Sequence, residues 1–282
     1  MVSIATDYLA NSGSPRPYLE KIANAGFSHV HWCHHWAGDF IYSASEIDKI
    51  KEWLKEYGIK LLDLHASAGK EKYWMSKLEY ERLAGIELLK NRIDMTSRLG
   101  GDAIVLHLVK GSDYECALFW ENVRIALDTL RPFAKERNVK IALENLFYDG
   151  DKPNFDILEL LFSEYPPEFL GLCYDAGHGN IVNIDGMKEL DRLKDRLISL
   201  HLSDNDGAPG HDEHKPLFSG SIDWERLAGI IARSSYKKCI NMELNMRQGN
   251  AGFEDDQEAE FLQMAYETGM KFQKMIDDKK MA

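Results

Sequence analysis

Six short apolar runs in this chain end in a histidine or an acid: LLDLH at His65, AIVLH at His107, KIALE at Glu144, LGLCYD at Asp175, LISLH at His201 and CINME at Glu243. Imidazoles and carboxylates are the side chains that hold divalent cations and move protons near neutral pH. One such ending means little, but six of them point to a single shared site at one end of a sheet. Glu144, Asp175, His201 and Glu243 supply three carboxylates and one imidazole. That oxygen-rich set suits Mn²⁺, Mg²⁺, Co²⁺ or Zn²⁺ and leaves positions for two substrate oxygens. Taken singly, each also reads as a buried polar residue satisfied by hydrogen bonds. Taken together, carboxylates converging at buried strand ends repel one another unless a cation joins them, so the set predicts a metal.

Further candidates surround this group. His178 lies three residues beyond Asp175, with Gly177 and Gly179 letting the backbone turn tightly. His65 and His107 can be additional ligands, hydrogen-bonding groups behind the ligands, or substrate contacts. In HDEHKPLFSGSIDW, Asp212 and His214 form a D-x-H pair whose alternate residues can face one ion; a solvated loop is the competing reading.

Positioning six strand ends around one point requires a closed sheet. The chain alternates strand-like and helix-like runs throughout. Strands are expected at Ser3 to Thr6, Phe27 to Cys33, Ile59 to Leu64, Ala103 to Leu106, Lys140 to Leu143, the run before Asp175, Leu197 to Leu200 and Cys239 to Met242. Between them lie helices with apolar residues three or four apart, such as Leu83, Ile86, Leu89 and Ile93. Ser14 and Ser45 are read as caps of the first two helices, and Asp223 as the cap of a late one. Eight β-α units without a change of composition predict a single α/β domain over 1–282, a (β/α)8 TIM barrel, with an open doubly wound sheet as the alternative.

Composition supports that reading. The length of 282 residues matches a barrel, which typically needs about 250. With 34 basic and 46 acidic residues the net charge is -12, which disfavours a broad nucleic-acid or anionic-membrane surface. Cys33, Cys116, Cys173 and Cys239 are far apart and form no C-x-x-C pair, as expected for reduced thiols in the cytoplasm. No run approaches the roughly 20 apolar residues of a membrane span.

LEN at Leu143 to Asn145, CYDAGH at Cys173 to His178, HLSDNDG at His201 to Gly207, the HDEHKPLFSGSIDW loop and MEL at Met242 to Leu244 resemble, in order, the metal-binding blocks of the xylose-isomerase-like TIM barrels. This superfamily includes sugar-phosphate isomerases and epimerases and the endonuclease IV group (AP endonuclease family 2). The resemblance implies that Glu144, Asp175, His201 and Glu243 hold the metal of the isomerase branch, and that Glu144 and Glu243 also handle protons. It equally implies that His65, His107, Glu144, Asp175, His178, His201, Asp212, His214 and Glu243 match the nine ligands of three zinc ions in the endonuclease branch. Two departures stand out. NLFYDG replaces a glycine-rich segment after the glutamate, and Phe218 occupies the first glycine of an expected G-x-G.

The chemistry expected is aldose-ketose isomerisation or epimerisation of a small carbohydrate through an enediolate, with Glu144 and Glu243 as base and acid. Trp32, Trp36, Phe40 and Trp74 could lay rings against a sugar, or simply pack the barrel rim. Lys110, Lys215 and Arg247 follow strand ends and could hold a phosphate. The alternatives are a trinuclear zinc phosphodiester hydrolase acting on abasic DNA, a metal-dependent polyol dehydratase, and a sugar-binding barrel without activity. A homo-oligomer is compatible with each.

Overall fold

The computed structural model describes residues 1–10, 12–67, 69–108, 117–147, 154–247 and 253–281. Its strands are β1 (Ser3–Ala5), β2 (His29–Trp32), β3 (Lys60–His65), β4 (Ala103–Leu106), β5 (Lys140–Glu144), β6 (Leu170–Asp175), β7 (Leu197–His201) and β8 (Asn241–Met242). All pair in parallel, in the order β7-β6-β5-β4-β3-β2-β1-β8. A parallel bridge from Leu202 to Met242 joins the two ends, with Leu202 N–H donating to Asn241 O and Glu243 N–H to Leu202 O. The sheet is thereby closed into a (β/α)8 barrel.

Helices α1 (Arg16–Asn24), α2 (Ala44–Glu56), α3 (Glu79–Leu99), α4 (Ala117–Glu136), α5 (Asn154–Glu164), α6 (Ala176–Ile181), α7 (Gly186–Leu193), α8 (Trp224–Ala232) and α9 (Glu258–Met281) follow the strands. The apolar positions that predicted α3 split: Ile86, Leu89 and Ile93 are buried, whereas Leu83 is 55% exposed at the start of the helix. Two caps differ from expectation. Pro15, not Ser14, occupies the cap of α1, with no side-chain bond. Ser43, not Ser45, caps α2 through a reciprocal box with Glu46, satisfying two backbone N–H groups that Ser45 cannot reach. Asp223 caps α8 as expected.

Two irregularities in strand pairing set the register under the site. The β2–β3 ladder shifts between Val30 and His31, placing His31 opposite Asp63. The β6–β7 ladder shifts between Leu172 and Cys173, placing Asp175 opposite His201. Such bulges re-aim side chains beside functional sites. The main apolar core lies between sheet and helices; Val105, Ala142 and Cys173 form a separate small cluster on the inward side of β4, β5 and β6.

Candidate metal centre

Glu144, Asp175 and His201 are the last residues of β5, β6 and β7, and Glu243 follows β8 by one residue. One ligand atom from each of the four lies within 4.8 Å of the other three. A cation about 2.0–2.2 Å from each donor fits inside such a group. His201 Nδ1 stands 2.9 Å from Glu243 Oε2 and 3.3 Å from Glu144 Oε2. Asp175 Oδ1 accepts from His178 N–H, capping α6, while buried Asp175 Oδ2 has no hydrogen-bond partner. Donors that converge without bonding one another are what a divalent ion would satisfy.

The charge states express the same crowding. Burial acts to raise the Glu144 carboxyl, but His201 and His107 hold it well below the usual carboxylate range. Glu243 is held low in the same way by His201 and His214, against its burial. Asp175 moves in the other direction, to about 7, because burial is joined by the neighbouring Glu144 and Glu243 charges and His178 only partly offsets them. Burial lowers the basicity of His201, yet Cys173, Glu243 and Glu144 raise it well above the ordinary value. The site attracts positive charge.

The remaining predicted ligands gather around this tetrad. His65 and His107 form a second group with Glu144 within the same 4.8 Å limit, and His107 Nε2 is 3.1 Å from Glu144 Oε2. His178 Nδ1 is 2.9 Å from Asn145 O, and its Nε2 is 3.6 Å from Asp212 Oδ2. His214 Nε2 is 3.2 Å from Asp212 Oδ2, and its Nδ1 is 2.9 Å from Glu243 O. All nine residues therefore form one continuous cluster.

The loop bearing Asp212 and His214 is shaped by Asp204. This buried carboxylate accepts from the N–H groups of Gly220 and Ile222 and from Trp224 Nε1, and the Asp204 and Lys215 backbones bond each other. Phe218, in the position expected for glycine, adopts φ 69°, the left-handed conformation that favours glycine. Its ring packs on Trp224 and beneath Lys271 Nζ, which offsets that backbone cost.

Beside the tetrad opens a cleft of about 300 Å³ lined by Asp7, Trp36, His214, Glu243 and Asn245, among others. Of the aromatic candidates, Trp36 faces this site: its ring centroid is 4.6 Å from that of His65 and 5.7 Å from that of His107. Trp32 and Trp74 do not. Each is at most 1% exposed, and Trp32 Nε1 donates to Tyr42 Oη, so both are packing residues rather than sugar platforms. Phe40 stacks on His35. Lys215 pairs with Glu213 at 2.6 Å, Arg247 is exposed, and Lys110 lies outside the described residues.

Asp7 escaped the sequence reading. It lies two residues beyond β1 and lines the cleft, and its carboxyl is pushed upward in pKa by burial and then by Glu243. The signal was present, because SIAT-D repeats the rule of an apolar run ending in an acid.

Comparison with known proteins now places the chain. The family described as xylose isomerase-like TIM barrel matches residues 19–265. The chain belongs to that family. An uncharacterized protein of Sinorhizobium fredii is 29% identical, covering 93% of this chain and 89% of its own length. A probable endonuclease 4 of Bacillus licheniformis is 26% identical over 54% of this barrel, and the match spans only 56% of that relative. A crystal structure of D-psicose 3-epimerase in the presence of D-fructose superposes with a TM-score of 0.78 at 18% identity, covering 98% of both chains. At that identity the likeness carries the fold.

Proposed function

We propose that this xylose isomerase-like barrel is a divalent-metal-dependent sugar or sugar-phosphate isomerase or epimerase. The observation that carries the reading is the tetrad of Glu144, Asp175, His201 and Glu243, beside a cleft of small-molecule size. The full-length likeness to a sugar 3-epimerase fold supports it. Three carboxylates and one imidazole fit Mn²⁺, Mg²⁺, Co²⁺ or Zn²⁺. A bound ion would act as a Lewis acid toward a carbonyl and its adjacent hydroxyl. Glu243, which lines the cleft, and Glu144 take and return the carbon-bound proton of the substrate, both being held ionised by neighbouring histidines. Trp36 lines the cleft on its His65–His107 side.

The test is proton exchange. The wild-type protein is incubated in deuterated water with Mn²⁺ and a panel of ketoses, aldoses and their phosphates, and exchange is followed by NMR. Exchange should occur with at least one sugar and disappear in both Glu144→Gln and Glu243→Gln. Exchange retained in both variants refutes the assignment.

A second reading is favoured by one observation: Glu144 is shared between the tetrad and the His65–His107 group, and His178, Asp212 and His214 adjoin the tetrad, His178 at Glu144 and Asp175 and His214 at Glu243. That arrangement suits a trinuclear zinc hydrolase of abasic DNA, and relatives named probable endonuclease 4 support it. It predicts about three zinc ions per chain and nicking of an abasic duplex. One ion per chain and an intact duplex would remove it.

A further inference from the structure

A file of polar side chains runs through the barrel beneath the tetrad. At its outer end Lys238 Nζ donates to Asp102 at 2.7 Å and reaches Asp63 Oδ2 at 3.4 Å. Asp63 Oδ2 also accepts from Ser199 Oγ at 2.6 Å, and Asp63 Oδ1 lies 2.7 Å from His31 Nδ1. The His31 ring then stands against His201, with centroids 4.6 Å apart and planes at 67°. Asp63, His31 and His201 are all 0% exposed. Barrel interiors are normally filled by Val, Ile and Leu, and a carboxylate there is costly unless it is compensated. Asp63 is well compensated. Three ring atoms of the file are not: His31 Nε2 and both His201 nitrogens, Nδ1 and Nε2, are buried without a hydrogen-bond partner.

The two Nε2 atoms are chemically complementary. Asp63 can only accept, so in the neutral ring the proton it receives is on His31 Nδ1 and the lone pair is on His31 Nε2. His201 Nδ1 points into the carboxylate cluster; once that lone pair is given to a cation, the ring proton must sit on Nε2. One donor and one acceptor, each buried without a partner, then belong to two rings whose centroids are 4.6 Å apart.

We propose that His31, fixed in one tautomer by Asp63, is the positioning residue that accepts from His201 and sets cation affinity at the barrel mouth from inside. This rests on the metal reading of the tetrad. Cys173, which clusters with His201 and Glu144, is the competing acceptor.

Asp63→Asn makes the sharpest test. Ser199 and Lys238 both donate to the Oδ2 side, so the amide oxygen belongs there and the amide N–H₂ faces His31. That reverses the tautomer and sets an N–H against an N–H. The experiment is calorimetric titration of Mn²⁺ and Co²⁺ into metal-stripped full-length protein, together with the visible spectrum of the Co²⁺ form. Asp63→Asn and His31→Phe should each weaken binding by about 10- to 100-fold and shift the Co²⁺ bands. His31→Gln, whose amide oxygen can accept, should recover part of the loss, and Cys173→Ala should not reproduce it. Should Asp63→Asn fail to fold, His31→Phe and its Gln counterpart carry the test. Wild-type affinity and an unshifted spectrum in His31→Phe, or a loss seen in Cys173→Ala instead, would overturn this inference and leave the metal reading standing. Absence of binding by the wild type would overturn both.

Discussion

Glu243 Oε2 lies 2.9 Å from His201 Nδ1 across the join where β7 meets β8. The pair forms only because the barrel closes there: the Glu243 N–H donates to Leu202 O, fixing the residue after β8 against the residue after β7. The contact that closes the ring thus also brings these two ligands together.

Cation affinity should rise with pH. His201, despite its burial, is raised well above its ordinary value by Cys173, Glu243 and Glu144, so at neutral pH it must shed its proton before Nδ1 can bind. Titrations in buffers of different ionisation enthalpy should reveal release of about one proton or more per ion. Affinity independent of pH between 6 and 9 would contradict this.

Trp36 should report occupancy. Its ring is the indole set against His65 and His107, whereas Trp32 and Trp74 are buried away from the cleft. Co²⁺ should quench tryptophan emission in the wild type, and Trp36→Phe should lose most of that quenching while retaining the binding heat.

How far these relations were legible in the sequence depends on the side of the strand. The inward ligands were readable because β-strands alternate, and each apolar run ends in a ligand type. The same alternation places Asp63 on the face of His65 and Cys173 on the face of Asp175, yet residues deep in a barrel are read by default as core. Trp32 is the converse case. It follows inward-facing His31 and so must point out toward the helices, although closeness to a strand end suggested the cleft. Helix α6 was hidden by its composition, AGHGNI: glycines read as loop, and the tertiary fit explains them, Gly177 lying against Ser203 and Gly179 against the Tyr174 hydroxyl.

The Asp204 loop should be the structural weak point of the site. Asp204→Ala removes the acceptor for the Gly220, Ile222 and Trp224 donors, at a cost of about 2–4 kcal/mol. A Cβ on Gly220 would lie 2.1 Å from Asn205 O, so Gly220→Ala should be similarly damaging. Urea denaturation measures both. Each variant should also bind a cation more weakly than wild type if Asp212 and His214 contribute.

His34 should make stability fall in mild acid. Burial lowers its pKa from 6.5 to about 4, with a further push from His35. The folded value lies below the unfolded one, so the contribution is complete above pH 6.5 and is lost as pH falls through 4. The full change is at most about 3 kcal/mol. His34→Gln should therefore flatten the urea-denaturation profile across this window, measured in the metal-free protein.

The most direct test of the central claim is a crystal soaked in Mn²⁺ and measured at the manganese absorption edge. The account predicts an anomalous peak about 2.0–2.3 Å from donor atoms of Glu144, Asp175, His201 and Glu243 together. No peak there in a crystal soaked at saturating Mn²⁺, or a peak held by other residues, would contradict it.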